Sequence, residues 1–191
     1  MLQVQIANRQ KALPVARALW RRLLRSAVPP EWNKARLSVA VVGAAEMVEL
    51  NRRFTGRSGD TDVLAFALGE EEVERAACNA PDPLVERAVP SALESTASRL
   101  GRPAPPLLIG EIVVCASRAQ AEARGRGVRS EEELALYVVH GFLHLLGYDD
   151  HAPEDRKRMY GAEERLLKAA GVPYVRRRRR KKASGGKRKG R

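Results

Sequence analysis

Three histidines occur in this chain, His140, His144 and His151, and all fall within one twelve-residue stretch. Imidazole is the commonest metal-ligand side chain. Residues at i and i+4 share one helix face, a turn apart, so His140 and His144 can reach a single ion. Gly147 follows three residues later and can end that helix and turn the chain back. The turn would return Asp149, Asp150 or His151 toward the same ion. Three protein ligands leave a fourth position for water, which is the layout of a catalytic zinc site. A buried helix that happens to carry a histidine accounts for one such residue. For three at this spacing beside a glycine, the metal reading is the stronger of the two.

Zinc proteases carry His-Glu-x-x-His, whose glutamate activates water. Gly141 holds the glutamate position here. Glycine offers no base, and inside a helix it costs ~1 kcal/mol relative to alanine. Peptide hydrolysis is therefore the weaker expectation. A hydrolysis in which the metal or the substrate handles the proton is the stronger one.

The ligand helix needs a start and a burial pattern. Ser130 followed by Glu131, Glu132 and Glu133 has the form of a capping box, with Ser130 as N-cap and Glu133 at N3. The carboxylates also suit the positive end of the helix dipole. Residues 134–146 are apolar almost all round, which marks a buried helix. The metal site is expected at the C-terminal end of this central helix.

Elsewhere the pattern predicts strands at 2–6, 37–42, 61–66 and 107–115. It predicts helices at 15–26, with Leu19, Trp20, Leu23 and Leu24 inward, and at 44–54, ending near Gly56. Further helices are expected at 117–123, 131–146 and 153–170. Residues 70–106 carry Pro81, Pro83, Pro90, Pro103, Pro105 and Pro106. They read as a mostly mobile insertion with a short helix near 91–100. Strands and helices mix without strict alternation, so the fold class is α+β: one small mixed β-sheet packed with helices.

The chain has 191 residues and a net charge of +12. Residues 176–191 hold eleven Lys and Arg and no acid, so removing them leaves +1 for residues 1–175. Residues 1–175 are read as a single domain and 176–191 as a disordered basic tail. Arg176, Arg177, Arg178, Arg179, Arg180, Lys181 and Lys182 are its RNA-binding candidates, through counterion release. Such a run confers affinity without sequence preference, and a merely solubilising tail is the alternative. No apolar run of about 18 residues predicts a membrane span. The N-terminus lacks signal-peptide features. Cys78 and Cys115 form no Cys-x-x-Cys pair, so reduced thiols and a cytoplasmic location are expected.

Residues 140–151 resemble the motif His-Gly-x-Leu-His-Leu-x-Gly-Tyr-Asp-His of the YbeY family, metal-dependent endoribonucleases of bacterial ribosomal RNA maturation. His140, Gly141, Leu143, His144, Leu145, Gly147, Tyr148 and Asp149 match it. Leu50, Asn51 and Phe54, then Thr61 to Phe66, resemble the family's Leu-Asn-x-x-(Tyr/Phe) and Thr-Asp-Val-Leu-Ser-Phe. Gly110, Glu111 and Ile112 resemble its Gly-Asp-Ile strand. The resemblance spans about residues 1–68 and 107–170. It implies a zinc-dependent endoribonuclease with one Zn²⁺, acting on single-stranded RNA. The substrates implied are ribosomal RNA near the small-subunit 3′ end and ribosomal particles under quality control. The strand would lie in a cleft between helix and sheet, with arginine forks on its phosphates.

Two departures from the motif matter. The family's third histidine sits ten residues after the first, a register that here holds Asp150, with His151 one place late. Carboxylate oxygen is an acceptable zinc ligand. Register favours Asp150 and ligand chemistry favours His151; Asp150 is taken as the third ligand and His151 as the alternative. The family also carries an arginine where this chain has Thr55. Arg53 and Arg57 flank it and are the candidates to supply that charge.

The expected chemistry is metal-assisted phosphodiester cleavage, with either metal-activated water or the RNA 2′-OH as nucleophile. Asp149 either orients a ligand histidine or caps the turn after Gly147. Glu111 faces either the site or solvent. Two other readings compete: a different zinc metallohydrolase, such as a peptidase with an unusual base, and a non-catalytic ribosome-assembly factor with a structural metal.

Overall fold

The alternating and continuous apolar runs become four strands: β1 (Gln3–Asn8), β2 (Arg36–Val42), β3 (Val63–Ala67) and β4 (Leu108–Cys115). The computed structural model describes residues 2–28, 35–67 and 108–175. The strands form one sheet in the order β1-β2-β4-β3. β1, β2 and β4 run parallel, with Val39 beside Ile112. β3 is antiparallel to β4, with Val63 opposite Val114 and Ala67 opposite Gly110. The sheet is thus mixed. β2 and β4 are central and buried on both faces, which is why Val39 to Val42 and Ile112 to Cys115 read as continuous apolar runs.

Five helices among the described residues complete the α+β fold: α1 (Arg17–Ser26), α2 (Ala44–Thr55), α3 (Ala116–Arg126), α4 (Ser130–Leu145) and α5 (Pro153–Ala169). One sheet face presents Leu37, Val39, Val41, Ile112 and Val114 to α1, α4 and α5. The other presents Ala40, Val42, Val113, Cys115, Leu64 and Phe66 to Met47 and Leu50 of α2. Trp20, Leu23 and Leu24 of α1 are buried as their spacing predicts, while Leu19 lies at the margin. None of these helices is long and apolar enough to cross a membrane.

Boundaries differ modestly from the pattern. The strand expected at 2–6 runs on to Asn8, the one at 61–66 begins at Val63, and the helix at 117–123 extends to Ala116–Arg126. The expected insertion with its short helix, the basic tail and Cys78 lie outside the described residues.

The start of α4 corrects the capping expectation. Arg129, not Ser130, is the N-cap residue. The Glu132 carboxylate accepts the Arg129 backbone N–H at 3.1 Å and its Nε–H at 2.8 Å. Glu133 instead turns inward and pairs with Arg126 at 2.7 Å, itself only 2% exposed. A carboxylate claimed by that buried pair cannot also reach back to the cap, so the register moves by one residue.

Every residue of α4 from Glu133 to Leu143 is buried. Gly141 lies against the sheet: a β-carbon there would come within 2.8 Å of Ile112 Cγ2 and 2.9 Å of Val63 Cγ2. Near the start of β4, a β-carbon on Gly110 would collide with the Phe66 carbonyl oxygen of β3 and stand 2.9 Å from Leu145 Cδ2. These two bare positions let the last turns of α4 approach the sheet. The helix stops where Gly147 takes φ +85°. Gly147 N–H donates to His144 O and Tyr148 N–H to Leu143 O, both at 3.0 Å. That pair of bonds closes the carbonyls of the last turn and reverses the chain, as the position of Gly147 predicts.

Candidate metal centre

His140 and His144 lie on the flank of α4, one residue round from the glycine that touches the sheet. His140 is buried and His144 half-buried. Their Nε2 atoms are 3.2 Å apart, and the rings meet edge to face at 87°. The other nitrogen of each ring is engaged. His140 Nδ1–H donates to Glu163 Oε1 at 2.8 Å. His144 Nδ1–H donates to the Tyr148 carbonyl at 3.0 Å. A carbonyl oxygen and an ionised carboxylate can only accept, so both hydrogens belong on Nδ1. Each ring then directs an Nε2 lone pair at the other.

Two lone pairs at that distance repel unless a cation lies between them. Imidazole binds zinc at about 2.0–2.1 Å, so two ligands of a tetrahedral ion stand about 3.3–3.4 Å apart. The observed 3.2 Å fits such an ion. Burial, and then the electrostatic influence of the neighbouring His140, hold the His144 pKa below the ordinary 6.5, while the Tyr148 carbonyl and the Asp150 and Asp149 carboxylates pull it up. A histidine kept neutral is ready to ligate.

Beyond Gly147 lies a second group of donors. One oxygen or nitrogen from each of Asp149, Asp150 and His151 lies within 4.8 Å of the others. This cluster does not include His140 or His144. The structure therefore places the expected ligands in two adjoining sets, a helix pair and a turn cluster. Of the two roles foreseen for Asp149, the turn cap is the one seen. Its Oδ1 accepts the N–H of Asp150 at 2.7 Å and of His151 at 3.3 Å, capping the turn. It also contacts His151 Nδ1, so the histidine it orients is His151 rather than one on the helix. That contact holds the Asp149 pKa below and the His151 pKa above their ordinary values. His151 is 88% exposed. Asp150 is partly buried. Arg156 clamps the turn, donating to the carbonyls of Asp150 at 2.9 Å and His151 at 2.8 Å.

Arg53 and Arg57 lie elsewhere. They sit at the end of α2 and just beyond it, and α2 packs on the sheet face opposite α4. The Arg53 guanidinium lies 5.3 Å from the centre of the Phe54 ring. Arg57 is exposed, with its backbone N–H on Thr55 Oγ1 at 3.3 Å. Thr55 itself is exposed, and its hydroxyl bonds back along the helix, 2.8 Å from both Asn51 O and Asn51 Oδ1. Glu111 corrects the expectation made for it, because it faces neither the histidines nor solvent. It is 3% exposed and accepts a bond from Ser38 Oγ at 3.4 Å. Strand alternation puts it with Val113 and Cys115 on the α2 side.

Three participants escaped the sequence reading: Glu163, Tyr174 and Arg156. Glu163 did leave a signal. It stands four residues from both Met159 and Leu167, a carboxylate within the apolar stripe of α5.

With this geometry in hand, the similarities are specific. The family model described as Endoribonuclease YbeY matches residues 5–171. Endoribonuclease YbeY of Staphylococcus saprophyticus is 32% identical over 140 residues, covering 73% of this chain and 75% of that protein. The same enzyme of Staphylococcus aureus strain JH9 is 34% identical over 140 residues, covering 73% and 76%. The solution structure of TM1509 from Thermotoga maritima aligns with a TM-score of 0.47 and 22% identity, over 93% of this chain and all of that one. The class is that of the hydrolytic nucleases. Within it, the chain belongs to the YbeY endoribonuclease family.

Proposed function

We propose that this protein is a zinc-dependent endoribonuclease that cuts single-stranded RNA in the maturation of ribosomal RNA, at the small-subunit 3′ end, and in ribosome quality control. Family membership supports the reaction class. The single observation that carries the metal is the histidine pair, two Nε2 atoms 3.2 Å apart with both Nδ1 hydrogens already committed. The ligands proposed are His140, His144 and Asp150, with His151 as the alternative third. Asp150 is partly buried, whereas His151 points out into solvent.

A bound ion would supply Lewis-acid charge at the scissile phosphate. The chain's own residues do the rest. His140 and His144 present lone pairs held in one tautomer. Gly141 leaves the helix without a carboxylate base, which suits water or the RNA 2′-OH as the nucleophile. Arg57, and beyond it Arg53, are proposed as phosphate contacts for a strand that passes the sheet edge. Arg176 to Lys182 would add affinity for long RNA and for ribosomal particles. The working location is the cytoplasm.

The test pairs metal content with cleavage of a single-stranded RNA by wild type and His144→Ala. Loss of zinc and of cleavage in a folded variant is expected. An unfolded variant would favour a structural metal, and full cleavage without the histidine would overturn the site.

A further inference from the structure

Glu163 is a carboxylate with 1% exposure, set between helix α5 and the flank of α4. Its neighbours along the buried stripe, Met159 and Leu167, are equally enclosed. A charge is tolerated in such surroundings only when its oxygens are paired. Both are. Oε1 takes the Nδ1 hydrogen of His140 at 2.8 Å, and Oε2 takes the hydroxyl hydrogen of Tyr174 at 3.0 Å.

Tyr174 reaches this point because α5 ends in a tight reversal. Gly171 N–H bonds to Lys168 O at 3.0 Å and Val172 N–H to Leu167 O at 2.9 Å. Val172 is buried at 6% exposure, which anchors the segment that follows the helix. Burial and the adjacent Glu163 charge push the Tyr174 phenol well above its ordinary value, so it remains a donor.

We infer that Glu163, held by the Tyr174 hydroxyl, is the positioning residue of the metal centre: it fixes His140 as an Nε2 ligand and raises that ligand's basicity. The inference rests on the metal reading given above. With one oxygen committed to the tyrosine, the carboxylate cannot rotate freely about its own axis. The oxygen left for His140 has a set direction, and so does the ring. The two ligand histidines are thereby locked by different means. His144 is oriented by a backbone carbonyl, which no side-chain change removes. His140 is oriented by a charged side chain, so its donor strength depends on that charge. Carboxylate partners of ligand histidines act in this way in metal sites generally.

The experiment uses the full chain and zinc alone as the probe. Glu163→Gln keeps the size of the side chain and an oxygen to accept the Nδ1 hydrogen, but it removes the charge. Zinc affinity, measured by competition with a chromophoric chelator, should fall roughly 10–100-fold, while circular dichroism stays that of the wild type. A residue that merely fills space would leave the affinity unmoved. Zinc binding by Glu163→Gln within threefold of wild type, with His140→Ala impaired, would overturn this inference and leave the metal reading standing. Wild-type affinity in His140→Ala would overturn both. Should Glu163→Gln fail to fold, nitrogen-15 NMR of the zinc-loaded wild type decides. His140 is expected to bind through Nε2 with its Nδ1 protonated; coordination through Nδ1 overturns the assignment.

Discussion

Gly141 and Ile112 touch so closely that a β-carbon on the glycine would stand 2.8 Å from the isoleucine's Cγ2. The position that holds a catalytic glutamate in zinc proteases here faces a sheet. Val63 closes the other side at 2.9 Å. Gly141→Ala gains about 1 kcal/mol of helix propensity. It also overpacks the interface, which typically costs about 1–3 kcal/mol. Ile112 and Val63 are β-branched and stiff at χ1, so the cost should win. Urea unfolding should find the alanine variant less stable, by ~1 kcal/mol. A more stable variant would show that the sheet yields.

The half-buried and the exposed histidine should titrate on opposite sides of 6.5. Burial and the electrostatic influence of His140 hold His144 down; the Asp149 carboxylate holds His151 up. NMR titration of metal-free protein, assigned with His144→Gln and His151→Gln, should order the two midpoints accordingly. The sign for stability follows for His144. The unfolded chain binds its proton more readily than the folded one. Its contribution is therefore present above 6.5 and is lost as pH falls. Coincident midpoints for the two residues would contradict the geometry of both.

The choice of third ligand is a comparison of two single changes. Asp150→Ala should weaken zinc binding much more than His151→Ala. The reverse ranking would assign the histidine, with Asp149 as the carboxylate that orients it.

Deletion after Val175 should leave zinc content and cleavage of a short, saturating RNA nearly unchanged. Binding to long RNA should weaken, and its salt dependence should flatten by ~0.7 in log–log slope for each phosphate no longer neutralised. An unchanged slope would mean that the eleven basic residues of 176–191 do not engage nucleic acid.

Local signals read well where a single residue decides them. Gly147 announces both the end of α4 and the reversal, because the left-handed turn needs what only its position supplies. The two central strands are legible in the continuous apolar runs Val39 to Val42 and Ile112 to Cys115. The cap of α4 is not, since three consecutive glutamates compete for it and the contest is settled by Arg126, a residue of another helix. Gly141 is legible as a missing base but not as a packing requirement, because the Ile112 and Val63 side chains come from distant strands. The same holds for Glu163. Its place in an apolar stripe is visible in sequence, but its partners are 23 residues upstream and 11 downstream. The sidedness of Glu111 depends on strand phase, which shifts with a single residue.

The antiparallel pairing of Ala67 with Gly110 sets the point where the chain leaves the sheet two residues from where it re-enters at Leu108. A hairpin of a few residues would join β3 to β4, yet residues 68–107 intervene. Closing a longer loop costs only about 0.6 kcal/mol for each doubling of its length. For a flexible chain, bringing together ends this far apart in sequence costs on the order of 2 kcal/mol more than closing a short hairpin. The β3–β4 pairing is thus a junction between distant stretches of sequence, made by strand register and not by proximity along the chain.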